Sequence, residues 1–364
     1  MPSPAKRIAI LTSGGDCAGL NAVIRAAVLR AMALGWEVIG IMDGAHGLLS
    51  RPPRTMPLHA ENVDTVMMRQ GGTILGTTNK GDPFAYPMPN GTTKDRSGEI
   101  IEAFRTLVCD ALIGIGGDGS LAILHRLAQQ GGFPLIGVPK TIDNDLSMTE
   151  SSIGFDTAVA VATEALDRLQ PTAASHDRIM LLEVMGRDAG HIALSAGIAG
   201  GADVILIPEI PYDIKNVAAH IKNIHQRGRN FALIVVSEAV RTQDGVPVTN
   251  TLYGGEKRLG GIGHVIGAQI AELCQAETRV TVLGHVQRGG QPSASDRLVA
   301  AAFGVHAVEL IREGKAGRMV AWSNRGVIDV PIAEAVKQPQ QVDPKGSLVK
   351  TARGLGICLG DSVQ

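Results

Sequence analysis

Short apolar runs alternate with helical patterns along most of this 364-residue chain, and this alternation restricts the fold more than any other feature. The apolar runs predict strands at positions 8–11, 38–41, within 107–115, and at 135–138, 179–184, 204–207, 232–236 and 280–283. Helical patterns lie at 20–34, 121–129 and 155–169. Strands that alternate with helices favour parallel sheets built from right-handed crossovers. We therefore expect an α/β chain with two such sheets and a cleft between them.

Composition excludes several classes of protein. Hydrophobic residues make up 45% of the chain, which is enough for a substantial core. Lys and Arg number 34 against 35 Asp and Glu, so no overall field attracts nucleic acid or an anionic membrane. No apolar run approaches the ~18 residues of a membrane span, and no leader pattern is visible. We expect a soluble, cytoplasmic protein that binds neither nucleic acid nor membrane.

The four cysteines are widely separated and form no CxxC pattern, so neither a zinc site nor a disulfide framework is indicated. We expect buried free thiols at Cys17, Cys109, Cys274 and Cys358.

Three strand ends carry glycines together with acids and hydroxyls. They are Ser13-Gly14-Gly15-Asp16, Gly116-Gly117-Asp118-Gly119-Ser120 and Lys140-Thr141-Ile142-Asp143-Asn144-Asp145. Glycines between a strand and a helix let backbone N–H groups approach a phosphate, and the helix N-terminus adds a favourable potential. They match neither the P-loop nor the dinucleotide fingerprint. Taken singly, a Gly-Gly-Asp loop is more often a structural turn between a strand and a helix, but three such loops in one α/β chain favour a phosphate site.

The acids in these loops have two readings each. Asp143 lies at the carboxyl end of a strand, where ligands bind in parallel sheets, and it can accept a proton from an attacking hydroxyl. The alternative is a polar turn in which Asp and Asn bond their own backbone. Asp118 could hold magnesium on a polyphosphate, or it could cap the following helix.

Further along the chain, scattered groups suit phosphate recognition because an Arg fork matches phosphate geometry. They are Arg178, Met185-Gly186-Arg187, Glu238, Arg279 and His285-Val286-Gln287-Arg288-Gly289-Gly290. Taken singly, each of these residues is more often a solvated or structural side chain.

Together, these blocks closely resemble the phosphofructokinase family. The first loop continues as Gly19-Leu20-Asn21-Ala22, and Glu183-Val184 and Leu283-Gly284 extend the later blocks. The blocks follow the family's order and spacing from about Ile8 to about Arg318. The resemblance implies two Rossmann-like three-layer domains with mainly parallel sheets and an active-site cleft between them.

The resemblance also implies transfer of a γ-phosphoryl group from a nucleotide to the 1-hydroxyl of fructose 6-phosphate, with Mg²⁺ as cofactor, in glycolysis. Asp143, Thr141 and Arg187 would be catalytic, with Asp143 as the base, and Asp118 and Asp145 would serve the metal. The nucleotide would be held by Gly14, Gly15, Lys80, Gly117, Asp118, Gly119 and Ser120. The sugar phosphate would be held by Thr141, Ile142, Asp143, Arg178, Met185, Gly186, Arg187, Glu238, Arg279, His285, Val286, Gln287 and Arg288.

Domain limits follow from the same resemblance. We expect a larger nucleotide-binding domain at 1–155 with about 287–337, a smaller sugar-phosphate domain at about 156–286, and a C-terminal extension at 338–364. In the family, the residues matching Arg178 and Arg279 reach in from a neighbouring subunit, so we expect a homodimer or homotetramer.

The chain departs from the family in its effector and donor positions. Where many bacterial members have an arginine that bridges both substrates, this chain reads Thr77-Thr78-Asn79-Lys80-Gly81. Lys80 is the candidate substitute, although a lysine cannot reproduce a bidentate fork. Leu29 stands where well-studied bacterial enzymes place an effector-binding arginine, which argues against control by ADP or phosphoenolpyruvate. The Lys80–Gly98 stretch is expected to be an exposed loop.

The phosphoryl donor depends on two positions. Pyrophosphate-dependent relatives typically have Asp at the position of Gly119 and Lys at that of Lys140, whereas short ATP enzymes have Gly at both. Gly119 leaves the space of the ATP α-phosphate open, and Lys140 repels nothing in ATP. We therefore expect ATP as donor. Pyrophosphate dependence and a non-catalytic sugar-phosphate-binding homologue are the alternatives.

Overall fold

A computed structural model of the protein describes residues 6–251 and 257–362. In chain order, the strands of these residues are β1 Arg7–Thr12, β2 Glu37–Ile41, β3 Thr55–Leu58, β4 Tyr86–Pro87, β5 Thr93–Lys94, β6 Ala111–Gly116, β7 Leu135–Pro139, β8 Ile179–Val184, β9 Val204–Leu206, β10 Ala232–Ser237, β11 Thr249–Thr251, β12 Lys257–Leu259, β13 Thr278–Val282, β14 Arg318–Ser323 and β15 Gly326–Pro331. The helices are α1 Leu20–Ala33, α2 Ser97–Thr106, α3 Asp118–Gly131, α4 Phe155–Ser175, α5 His191–Ala199, α6 Ile214–Gln226, α7 Ile262–Cys274, α8 Ala294–Arg312, α9 Ile332–Ala335 and α10 Ser347–Gly354.

The chain divides into two compact units. The first takes the residues up to Thr157 together with Arg288–Pro339, and the second takes Ala158–Gln287 together with the residues from Gln340 onward. Among the described residues, none of the helices has both the length and the apolar character that a membrane crossing requires.

The first unit is built on a seven-stranded sheet in the order β15-β14-β7-β6-β1-β2-β3. The pairs from β14 to β2 are parallel, and the edge strands β15 and β3 are antiparallel. The run Ile8–Leu11 is fully buried at the centre of this sheet, as expected for a parallel strand covered on both faces. Helix α1 packs against α8, where Gly304 lies so close to α1 that an added Cβ would be 2.5 Å from the Val23 carbonyl oxygen.

The second unit is built on a parallel four-stranded sheet in the order β13-β8-β10-β9. Its core contains the apolar side chains of these strands and of helices α6 and α7. The two mainly parallel sheets confirm the expected α/β class.

Most predicted elements form close to their predicted limits, and two segments hold more structure than expected. The Lys80–Gly98 stretch contains a 3₁₀ turn at Pro83–Ala85, the β4-β5 hairpin and the start of α2 at Ser97. The 338–364 extension contains α10, and its residues from Gln340 belong to the second unit. All four cysteines are free; Cys17 and Cys358 are buried, whereas Cys109 and Cys274 are only partly buried.

Candidate active site

Three loops of the first unit meet at one edge of the large sheet. The ends of β1, β6 and β7 lie side by side, because Thr12 pairs with Ile115 and Gly116 pairs with Pro139. The loops are held to one another by main-chain bonds: the Ser13 N–H donates to the Ile115 carbonyl at 2.9 Å, and the Lys140 N–H donates to the Gly116 carbonyl at 3.0 Å. The structure therefore brings the three predicted phosphate loops together at the carboxyl end of the sheet, where ligands bind in such folds.

The first loop has no room for side chains at its two glycines. Gly14 has φ +84°, and a Cβ there would lie 2.9 Å from the Ser120 hydroxyl oxygen. A Cβ at Gly15 would lie 2.5 Å from Nη1 of Arg288. The positive φ of Gly14 favours glycine at that position, and a side chain at Gly15 would require Arg288 to move.

Two cations hold the carbonyl groups of this loop. The Lys140 ammonium donates to the Gly15 carbonyl, and Nη1 of Arg288 donates to the Asp16 carbonyl at 3.0 Å. Lys140 is only 4% exposed, and burial lowers the pKa of its ammonium from the ordinary lysine value. Arg288 therefore lies beside the predicted nucleotide loop of the first unit.

Cys17 follows this loop and is fully buried. Its thiol donates to the Ile153 carbonyl at 3.3 Å, and burial raises its pKa to about 12. A thiol in this state is protonated at neutral pH, so the residue is structural and not a nucleophile.

The Lys140–Asp145 segment is buried and locally braced. The Asp143 N–H donates to Oγ1 of Thr141 at 3.1 Å, and this hydroxyl lies 3.3 Å from Oδ2 of Asp143. Asp143 is 6% exposed. The Thr141 hydroxyl therefore fixes the Asp143 carboxylate within a buried segment at the end of β7.

Hydrogen bonds between Asn144, within this segment, and Ser152, outside it, stabilise the segment. Asn144 has φ +53°, and its Oδ1 accepts hydrogen bonds from the N–H and the hydroxyl of Ser152 at 2.9 and 3.0 Å. The Ser152 hydroxyl also lies 2.7 Å from the Thr141 carbonyl. No sequence pattern indicates Ser152, because its role depends on the fold of the intervening turn.

Asp118 and Gly119 begin helix α3 behind the second loop. The N-cap is Gly117, whose carbonyl accepts from the Leu121 N–H at 2.9 Å, so Asp118 occupies the first helical turn and not the cap. A Cβ added at Gly119 would meet nothing within 4 Å, so the space in front of this residue is open. Asp145, on the neighbouring strand end, is 3% exposed.

The carboxylates of Asp118 and Asp145 are candidate ligands for a magnesium ion whose coordination shell is completed by a substrate phosphate. Within residues 6–251 and 257–362, no group of three or more His, Cys, Asp or Glu side chains forms a self-sufficient metal site. Mg²⁺ usually binds through one or two carboxylates together with waters and substrate phosphates. Asp118 and Asp145 are carboxylates of this kind, and their binding of Mg²⁺ stays a prediction.

The Thr77–Lys80 segment also reaches the first loop. The Gly14 N–H donates to the Thr78 carbonyl at 2.9 Å, and the Thr77 hydroxyl donates to the Gly14 carbonyl at 2.6 Å. Lys80 is exposed at the end of this segment, where its N–H donates to the Thr78 hydroxyl at 3.2 Å. The threonines were not predicted as site residues, since their link to Gly14 spans more than 60 positions.

In the second unit, the 185–190 loop follows β8 and is fixed by neighbouring side chains. The Met185 N–H donates to Oε1 of Gln287 at 2.7 Å, and the Arg187 N–H donates to Oε1 of Glu238 at 3.2 Å. A Cβ at Gly186 would lie 2.4 Å from the Ala189 carbonyl oxygen. Arg187 has φ +52°, and its side chain is exposed.

The predicted sugar-phosphate residues of this unit differ in exposure. His285 and Val286 are exposed, whereas Gln287 is 1% exposed and serves as the acceptor for Met185. Glu183, which the sequence did not single out, accepts from the N–H groups of Gly261 and Gly263 at 2.8 Å each. It thereby anchors the start of α7, where a carboxylate is favourable.

Arg178 and Arg279 lie at the opposite end of the same sheet. Arg178 precedes β8 and Met185 follows it, so six strand residues at ~3.3 Å each separate them by roughly 20 Å. Arg279 pairs beside Met180 at the start of β13, and both arginines form ion pairs with Glu277, at 3.0 Å for Nε of Arg178. The Arg178 bond holds the pKa of Glu277 below its ordinary range. These arginines therefore lie far from the 185–190 loop of their own unit.

Comparison with known proteins places this geometry in context. The family model described as "Phosphofructokinase" matches residues 7–311. The "ATP-dependent 6-phosphofructokinase 1" of Nostoc sp. is 63% identical over 359 residues, which cover 99% of this chain and 100% of the relative. The protein of the same name from Synechocystis sp. is 63% identical over 357 residues, covering 98% and 99%.

A solved structure shows the fold. The pyrophosphate-dependent phosphofructokinase from Nitrosospira multiformis superimposes with a TM-score of 0.79 at 22% identity, covering 98% of this chain and 93% of that one. At this identity the likeness concerns the fold alone, and it agrees with the expected α/β arrangement with mainly parallel sheets.

Proposed function

The chain belongs to the phosphofructokinase family, and we propose that it transfers the γ-phosphoryl group of ATP to the 1-hydroxyl of fructose 6-phosphate. The observation that carries this proposal is 63% identity over 99% of the chain to a relative named as an ATP-dependent 6-phosphofructokinase. The buried Asp143–Thr141 pair at the carboxyl end of the sheet supports it. The reaction belongs to glycolysis, for which we propose a cytoplasmic location.

Asp143 is the proposed general base. It accepts the proton of the sugar hydroxyl as that oxygen attacks the terminal phosphorus, while Thr141 contacts the transferred group. A carboxylate is a weak base, but phosphoryl transfer depends mainly on positioning and on charge neutralisation. The bracing of the segment by Asn144 and Ser152 supplies the positioning.

Charge on the transferred phosphate is neutralised from two sides. Lys140 and Arg288 bring positive charge to the Gly14–Asp16 loop, and Asp118 and Asp145 would hold Mg²⁺ on the polyphosphate. When bound, the ion polarises the phosphoryl oxygens and offsets their developing charge. In the second unit, Met185, Gly186, Arg187, Glu238 and His285 are the proposed contacts of the sugar phosphate.

ATP is the proposed donor because of the open space at Gly119. Nothing lies within 4 Å of an added Cβ there, so the α-phosphate and nucleoside of ATP meet no obstruction at this position. Lys140 does not argue for pyrophosphate, since its ammonium already holds the Gly15 carbonyl and serves either donor.

Initial rates with MgATP and with magnesium pyrophosphate, measured side by side at saturating fructose 6-phosphate, test the donor. We expect a clearly higher kcat/KM with ATP. An equal or higher kcat/KM with pyrophosphate contradicts the assignment of the donor, while turnover with neither compound contradicts the assignment of the reaction.

We also propose a homo-oligomer in which Arg178 and Arg279 serve the site of a neighbouring subunit. Their position, roughly 20 Å from the 185–190 loop along β8, supports this arrangement, because neither side chain spans that distance within its own unit. Analytical ultracentrifugation gives the number of subunits.

Subunit mixing tests whether the arginines act across subunits. Asp143→Asn and Arg279→Ala each inactivate their own homo-oligomer in this scheme. In a mixed oligomer, an Arg279→Ala subunit keeps its Asp143 and receives Arg279 from its neighbour, so activity returns. No recovery, despite subunit exchange shown by native mass spectrometry, contradicts the proposed arrangement.

A further inference from the structure

Glu209 joins two segments that lie far apart in the chain. Its Oε1 atom accepts one hydrogen bond from the Gly190 N–H and another from the Val342 N–H, both at 2.9 Å. Gly190 ends the 185–190 loop and caps helix α5, whereas Val342 belongs to the C-terminal segment. A single carboxylate oxygen therefore links this segment to the loop that carries Met185 and Arg187.

The C-terminal segment is attached at further points of the second unit. Nε2 of His191, the first residue of α5, lies 3.1 Å from the Gln340 carbonyl. Helix α10 packs against α5. The chain then runs beside strand β9, where the Cys358 carbonyl accepts from the Ile205 N–H at 2.9 Å. The segment is thus an integral part of this unit.

Packing leaves Glu209 little freedom. A Cβ at Gly190 would lie 2.8 Å from Oε2 of Glu209 and 2.4 Å from Cβ of Ile207. Oε2 itself is buried and, among the described residues, has no hydrogen-bond partner. The carboxylate is therefore fixed by packing and by its two N–H donors, and removing it would leave both donors unsatisfied.

We infer that Glu209 is a positioning residue for sugar-phosphate binding and that the 340–342 segment influences substrate affinity through it. This inference rests on the proposed function of the 185–190 loop. In the described part of the chain, the side chains that anchor the loop include Gln287 at Met185, Glu238 at Arg187, Ser237 at Ala189 and Glu209 at Gly190. Glu209 is the anchor that the C-terminal segment shares, and it does not touch the reacting atoms.

Glu209→Ala removes the shared acceptor. We expect the KM for fructose 6-phosphate to rise about 10-fold, as for loss of hydrogen bonds to a charged group, with kcat and the KM for ATP unchanged. Such a split marks lost binding that is equal in the ground and transition states. Glu209→Gln keeps an acceptor oxygen, so it should restore most of the affinity.

Val342→Pro tests the link from the other side. It removes the N–H that Glu209 accepts and leaves the loop untouched, while Val342→Ala keeps the N–H and is the matched control. We expect Val342→Pro to raise the KM for fructose 6-phosphate, Val342→Ala to leave it unchanged, and Val342→Pro to add little in the Glu209→Ala background.

The outcomes separate this inference from the proposed function. An unchanged KM for fructose 6-phosphate in Glu209→Ala overturns the inference, as does an equal loss of affinity for both substrates, which marks general loosening. Independent effects of Glu209→Ala and Val342→Pro overturn the link to the C-terminal segment. Absence of fructose 6-phosphate turnover in the unmodified protein overturns the proposed function instead.

Discussion

Gly119→Asp should turn the enzyme away from ATP without harming its fold. Gly119 is the second residue of α3, it is exposed, and an added Cβ meets nothing within 4 Å. Replacing glycine within a helix removes a cost of up to ~1 kcal/mol, and an acidic residue in the first turn adds ~0.3–1 kcal/mol of stability. The variant should therefore unfold at the same or a higher denaturant concentration than the unmodified protein.

The expected loss of ATP use follows from charge. A carboxylate about 5 Å from an α-phosphate oxygen, at an effective dielectric constant of ~20, is repelled by roughly 3 kcal/mol. Since about 1.4 kcal/mol corresponds to a factor of ten, kcat/KM for ATP should fall by about two powers of ten. Pyrophosphate has no α-phosphate at this position, so its use should fall much less.

Two control variants separate charge from volume. Gly119→Asn has nearly the shape of the aspartate without its charge, and Gly119→Ala adds only the Cβ for which space is present. A coupled assay that follows fructose 1,6-bisphosphate, with ATP varied, gives kcat/KM for each variant. If Gly119→Asp keeps the ATP kinetics of the unmodified protein while urea titration shows it folded, Gly119 does not select the donor.

Three further predictions concern the base, the metal and the buried thiol. Asp143→Asn should lower kcat by at least ~10²-fold, because proton transfer by a positioned base contributes at least that much. Calorimetry should still detect fructose 6-phosphate binding to this variant. Turnover close to that of the unmodified protein would exclude Asp143 as the base. Chelation of Mg²⁺ should stop turnover. Asp118→Asn should raise the Mg²⁺ concentration needed for half-maximal rate, and an unchanged concentration would show that Asp118 does not bind the metal. The Cys17 pKa is raised from 9.0 to about 12 in the folded protein, so between these values the folded state binds more protons than the unfolded one, and stability is lost as pH rises. Urea titrations should therefore show a lower unfolding free energy at pH 10 than at pH 8, with at most ~1.4 kcal/mol per pH unit from this group. The drop should be smaller in Cys17→Ala. Equal drops in the two proteins would refute the raised pKa of Cys17.

The central strands could be predicted from the sequence because their apolar runs are continuous. Ile179–Val184 forms strand β8 with the predicted limits, and Leu135–Val138 forms β7 with one further residue. Strand β14 and its edge neighbour β15 were not predicted, because their buried positions are interrupted by partly exposed ones and a turn separates the two strands. Strand β14 joins the large sheet by pairing with β7, more than 150 positions earlier in the chain, whereas β15 pairs with β14 itself.

The predicted loops of the site were recognisable from their glycines and acids, but the residues that brace them were not. Ser152 supports Thr141 through a hydroxyl, and nothing in the local sequence distinguishes it from an ordinary surface serine. Glu183 could have attracted attention, since a carboxylate within an apolar strand requires partners. Its partners, Gly261 and Gly263, lie almost 80 residues away, so the sequence could not show which groups satisfy it.

The mixed donor signature at positions 119 and 140 has a physical explanation in the structure. Lys140 is buried, and its ammonium is bonded to the Gly15 carbonyl, so its first effect is to hold the Gly14–Asp16 loop in place. That loop is required whichever donor is used, because both donors present a terminal phosphate. Gly119 faces open space, where only the longer donor places further atoms. Discrimination between donors needs a group that one of them meets and the other does not, and on this criterion we predict that Gly119, and not Lys140, selects the donor.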